Sequence, residues 1–114
     1  LGNEREQESC LLRALSEAPW LREPWLDYAG FAYDRQDWEG VLFACARALA
    51  ITDRPCTYIS EAACWGPLPW DLLSIACWRL GLRDRARKAV QQALLLAPED
   101  QRLQKNKALM ERQD

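Results

Sequence analysis

The stretch Pro67–Asp100, PLPWDLLSIACWRLGLRDRARKAVQQALLLAPED, decides the fold. Pro67 and Pro69 bracket a helix start, apolar residues recur at Leu72, Leu73, Ala76, Cys77 and Leu80, and Gly81 ends the run. That period belongs to a helix with one buried face. A second run, Ala86, Val90, Ala93, Leu94 and Ala97, keeps the same period and closes at Pro98. Two amphipathic helices joined by so short a turn fold back on each other as an antiparallel hairpin. The stretch Arg22–Ile51 carries the same pattern, with Trp25, Tyr28, Ala29, Trp38, Val41 and Ala48 in the matching slots. Gln36 stands where the glycine was, and the closing proline comes late, at Pro55.

Working outward, Leu11, Ala14, Leu15 and Ala18 predict a first helix from Asn3 or Glu4 to about Glu17, stopped by Pro19. Pro24 suits the first turn of a second helix, whose stripe is Trp25, Tyr28, Ala29, Ala32 and Tyr33. Asp37 can cap a third helix, which carries Val41, Leu42, Cys45, Ala48 and Leu49 and should end near Thr52. The last segment, Asp100 to about Arg112, holds Leu103, Leu109 and Met110 among polar residues and reads as a final helix with one wet face.

In the second hairpin Trp70, Leu73, Ala86 and Pro98 match the signature W-x2-L-G-x2-Y, A-x3-F, P in register, with Ser74, Cys77 and Val90 as substitutes. The chain therefore resembles the tetratricopeptide-repeat family. The resemblance implies an all-α fold, a TPR-like α-α superhelix of antiparallel helix hairpins. Residues 1–21 would be the second helix of a preceding repeat, 22–66 a repeat with an insertion, 67–100 a further repeat and 101–114 a capping helix. Trp25 and Trp70 lie 45 residues apart where uninterrupted repeats would give 34, so 11 residues are inserted between the two repeats. Opening on half a repeat without an initiator Met, the chain is expected to be a fragment of a longer polypeptide with an unmatched helix face at Leu11 and Leu15.

A narrower resemblance covers Arg22–Gly81 and rests on Arg22-Glu23-Pro24-Trp25, Asp37-Trp38-Glu39-Gly40, Thr57-Tyr58-Ile59-Ser60-Glu61 and Cys64-Trp65-Gly66. This run is similar to the region C-terminal to the catalytic domain of certain bacterial family 2 glycosyltransferases. In those enzymes a separate domain holds the sugar nucleotide and metal through a D-x-D motif. This chain has no such triplet, so no catalytic residue is carried over.

Composition sets the outer limits. With 114 residues, 49% of them hydrophobic, one core is expected. No apolar run approaches the ~20 residues that span a bilayer, which argues against a membrane segment. Cys10, Cys45, Cys56, Cys64 and Cys77 form no CxxC pair and read as buried thiols of a cytoplasmic protein. The absence of histidine removes the commonest general base and metal ligand, and no metal or other cofactor is expected. Residues 1–40 carry nine acidic and four basic side chains, whereas Arg79–Lys88 has five basic residues against Asp84. That cluster reads as a solvated helix face or a dock for an acidic partner surface or a phosphate-bearing ligand; nucleic acid is not expected for an acidic chain with no binding motif.

The candidate sites follow from these readings. In the repeat family the first helix of each pair lines a concave surface, so the resemblance points to Leu26, Gly30, Tyr33, Asp71, Ile75 and Trp78 as groove residues. Trp78 either faces that groove or packs beneath the insertion. Leu26, Gly30, Asp71 and Ile75 do not reproduce the basic clamp with which some relatives hold a chaperone's acidic tail. In the insertion Tyr58, Glu61 and Trp65 form either a contact surface or, with Trp65 as a plug, a filling between the repeats. Asp37 with Glu39, and Glu99 with Asp100, sit at helix starts, where the helix dipole accounts for them. The expected function is a non-catalytic protein–protein interaction and scaffolding module, the TPR-like C-terminal region of a bacterial glycosyltransferase. Its partner would be a protein or peptide, or the catalytic domain of its own parent chain, with self-association as a further expectation. The alternative is an independent peptide-binding adaptor unrelated to sugar transfer.

Overall fold

The computed structural model describes residues 2–54 and 62–112, and every described element is helical. In chain order the helices are α1 (Gly2–Glu17), α2 (Arg22–Asp34), α3 (Trp38–Ala50), a single turn α4 (Ala62–Trp65), α5 (Leu68–Arg79), α6 (Arg83–Leu96) and α7 (Gln101–Arg112). The predicted helices are all present, and their ends agree to within two residues. Pro69 sits in the opening turn of α5, where a missing N–H leaves no bond unmade. Asp37 accepts from the Gly40 N–H at 3.0 Å and Asp100 from the Leu103 N–H at 3.1 Å, so each carboxylate caps the helix that follows it.

The closest pairings are α2 with α3 and α5 with α6, followed by α3 on α5, α6 on α7 and α1 on α2. The Cα envelope measures 41 × 37 × 20 Å, and its shortest side is about two helix diameters, as two layers of helices require. The buried register repeats between the hairpins. Ala29, Ala32, Val41, Ala44, Cys45 and Ala48 fall 45 residues before Ser74, Cys77, Ala86, Ala89, Val90 and Ala93, and all twelve are at most 2% exposed. Small side chains at these positions let the helices approach closely. Ser74 is tolerated there because its hydroxyl donates to the Asp71 carbonyl at 2.7 Å. Leu103 and Met110 of α7 complete the core at one end and Leu15 of α1 at the other.

Leu15 departs from expectation: it is buried and Leu11 is half-buried, both on the side of α1 that meets the rest of the protein. The exposed apolar residues at this end are Leu12 and Trp20.

Between the hairpins, the expected insertion contacts Tyr58 and Glu61 lie outside the described residues, as does Cys56. Trp65 is described. It is half-buried, packs against the core, and has the Arg22 guanidinium 3.8 Å from its ring centre. Arg22 is only 8% exposed; its Nε donates to the Ile51 carbonyl and its Nη1 to the Cys64 carbonyl, each at 2.9 Å. Burial lowers its pKa from the ordinary value. One side chain thus ties the start of α2 to the end of α3 and to α4, and Trp65 lies over it like a cover.

Candidate functional site

Tyr33 and Trp78 occupy the same place in the two hairpins, two residues before each helix gives way to its turn. Both rings open onto one surface pocket of about 330 Å3 between α2, α5 and α7. Ile75 and Arg79 line its α5 wall, and Arg102, Asn106, Leu109 and Met110 line its α7 wall. Three of the six expected groove residues, Tyr33, Ile75 and Trp78, are therefore brought together here. Trp78 faces the pocket; the central part of the insertion lies outside the described residues.

The other three have different surroundings. Leu26 is 6% exposed and belongs to the core, a correction to its expected groove position. It shares α2 with Tyr33, but a seven-residue separation is two turns, and its turn is covered. Gly30 is half-buried, and a Cβ added there would meet nothing within 4 Å, so it borders open space without lining the pocket. Asp71 is buried and grips Arg102 of α7 through both carboxylate oxygens, a two-pronged geometry that suits guanidinium. The hydrogen bonds to Asp71 raise the Arg102 pKa, so its charge is permanent. The carboxylate that could not serve in a basic clamp instead positions a cation beside the pocket.

Stacked aromatic and cationic groups border the opening. Tyr33 meets Trp38 edge-on with ring centres 5.2 Å apart, the Arg79 guanidinium lies 5.4 Å over Trp38, and Arg83 lies 4.5 Å over Trp78. Such contacts hold these flat side chains in place. Arg102 and Asn106 were missed by sequence reasoning, while Arg79 was read only as part of the Arg79–Lys88 cluster and Leu109 only as part of the last helix. The period of α7 marks Leu103 and Met110 as inward, but nothing in it reveals that the helix leans across toward α2.

Burial pushes the Cys45 thiol up to about 12 and raises the Cys77 thiol in the same direction, so both stay protonated and unreactive at neutral pH. Among the described residues no three His, Cys, Asp or Glu side chains gather as a metal-binding group, and no helix is long and apolar enough to cross a membrane. Compared with known proteins, the chain matches no protein-family model and no curated relative.

Proposed function

We propose that this chain is a tetratricopeptide-type helical-repeat module, non-catalytic, that holds an extended peptide or partner segment in the groove between α2, α5 and α7. The observation that carries the reading is the pocket itself: residues at equivalent positions of two like hairpins, Tyr33 and Trp78, converge with α7 on one opening. An apolar anchor would sit between these rings, and an acidic neighbour would meet Arg79 or Arg102. Aromatic side chains in a half-open pocket are the type of residue that dominates binding energy. The likeness of Arg22–Gly81 to the region after a bacterial glycosyltransferase catalytic domain supports placing the module beside such an enzyme, with the catalytic domain as one natural partner.

Peptide display against the purified chain tests the groove. Selected peptides are expected to lose about tenfold or more in affinity on Trp78→Ala or Tyr33→Ala, the scale of a binding hot spot, and to keep it on Trp20→Ala. Binders indifferent to both groove substitutions would overturn the reading.

A further inference from the structure

The two arginines that line the α2–α5–α7 pocket differ in what surrounds their charge. Arg102 is gripped by Asp71 through both carboxylate oxygens, and that carboxylate is only 11% exposed. As a unit the pair is electrically neutral. Arg79 is exposed, lies 5.4 Å over the Trp38 ring, and among the described residues has no acidic partner. An aromatic face steadies a guanidinium without cancelling its charge. No Asp or Glu lines the pocket, so the net charge on its wall is that of Arg79.

We infer that Arg79 is the specificity-determining residue of this pocket, selecting a partner segment that carries a side-chain carboxylate, Asp or Glu, beside an apolar anchor. The inference rests on the peptide-binding reading of the pocket and adds which ligand group is recognised and which residue meets it. The anchor enters against Tyr33, Ile75 and Trp78, and the neighbouring carboxylate pairs with the Arg79 guanidinium, whose paired N–H groups match two oxygens. An extended segment crossing an open groove presents side chains rather than its end, so the carboxylate is a side chain's. Asp71 and Arg102 have a separate role. They tie α5 to α7 and so set the distance between two walls of the pocket. A ligand carboxylate brought to Arg102 would compete with a buried acid already seated on the same guanidinium.

Fluorescence anisotropy with peptides selected against the purified 114-residue chain tests the assignment. Each peptide is made with the acidic residue and with the matching amide, Glu→Gln or Asp→Asn, and both forms have an amidated C-terminus so that no terminal carboxylate competes. Wild type should bind the acidic form about fivefold tighter at about 0.05 M salt, the upper range for a partly exposed ion pair, and with a smaller preference at about 0.5 M. Arg79→Gln should bind the two forms alike, and Arg79→Lys should keep part of the preference. Asp71→Asn combined with Arg102→Gln removes the neutral pair without changing net charge; it should weaken both peptide forms together and keep the preference between them. Circular dichroism checks the fold of each variant. Selected peptides with no acidic residue near the anchor, a preference that survives Arg79→Gln, or one abolished by the paired amides alone would overturn the inference. Binders that ignore Trp78→Ala and Tyr33→Ala would instead overturn the peptide reading itself, so the two failures are told apart.

Discussion

The turn that joins α2 to α3 and the turn that joins α5 to α6 are the same structure built from different residues. In the first, the Gln36 N–H donates to Tyr33 O at 2.9 Å and the Asp37 N–H to Ala32 O at 2.8 Å; in the second, Gly81 donates to Trp78 O at 3.2 Å and Leu82 to Cys77 O at 2.8 Å. Both follow the Schellman pattern, with a left-handed residue after the helix: Gln36 at φ 58° and Gly81 at φ 81°. Packing of the two hairpins, and not the presence of glycine, therefore sets the turn. Neighbouring residues adjust to each solution. Asp37 caps α3, and a Cβ on Gly40 would come within 2.5 Å of its carboxylate, so the cap and that glycine occur together. The second hairpin has Leu82 and Arg85 at those places and no side-chain cap.

The largest expected difference lies in the paired tryptophans. Trp25 is 7% exposed, donates from Nε1 to the Pro19 carbonyl at 2.9 Å and meets Phe43 edge-on at 5.8 Å, whereas Trp70 is half-buried. Urea unfolding should show Trp25→Ala costing about 3–5 kcal/mol, the range for a buried aromatic, and Trp70→Ala clearly less. Equal losses would mean that the hairpins do not differ in this way. Next comes Arg22, whose place in the second hairpin is taken by Pro67. Arg22→Met leaves the Ile51 and Cys64 carbonyls without this donor and should cost about 2 kcal/mol. Near-wild-type stability would remove Arg22 as the tie between α3 and α4.

How much of this could be read from the sequence depends on the range of the interaction. Helix ends were legible because Pro19, Asp37, Gly81 and Asp100 act on their own neighbours. The core was legible where period and residue size agree, as at Ala29 or Ala93. Ser74 entered it only as a repeat substitute, because its satisfied hydroxyl is a structural fact. The groove was half legible. Tyr33, Ile75 and Trp78 share a predictable face, but the α7 wall depends on Asp71 meeting Arg102 across 31 residues, which no local pattern encodes.

A smaller effect separates Cys45 from its counterpart Val90, both fully buried. Because the folded thiol titrates near 12 and an unfolded one near 9, folding is unaffected by this group below about pH 9. Between 9 and 12 the unfolded chain loses a proton that the folded chain keeps, so stability falls as pH rises, by about 1.4 kcal/mol per pH unit at most. Cys45→Val should remove that part of the loss between pH 7.5 and about pH 10 while changing stability little at neutral pH. Unchanged alkaline sensitivity would show that Cys77 and other groups account for it.

The smallest effect tests the turns themselves. A residue with a Cβ is disfavoured at positive φ, by roughly 1 kcal/mol, and both turns demand it. At Gly81 a Cβ would meet nothing within 4 Å, so Gly81→Gln carries no clash and its whole cost is conformational. That substitution should destabilise by about 1 kcal/mol, and Gln36→Gly should stabilise by about 0.5–1 kcal/mol, less whatever entropy the unfolded chain gains. Chemical denaturation of the two single variants and the double exchange gives the answer. If the turns are the same structure, the exchange is nearly neutral, since it moves one glycine between two equivalent left-handed sites. A Gln36→Gly variant less stable than wild type would show that Gln36 makes a contact of its own, and that the likeness of the two turns ends at the backbone.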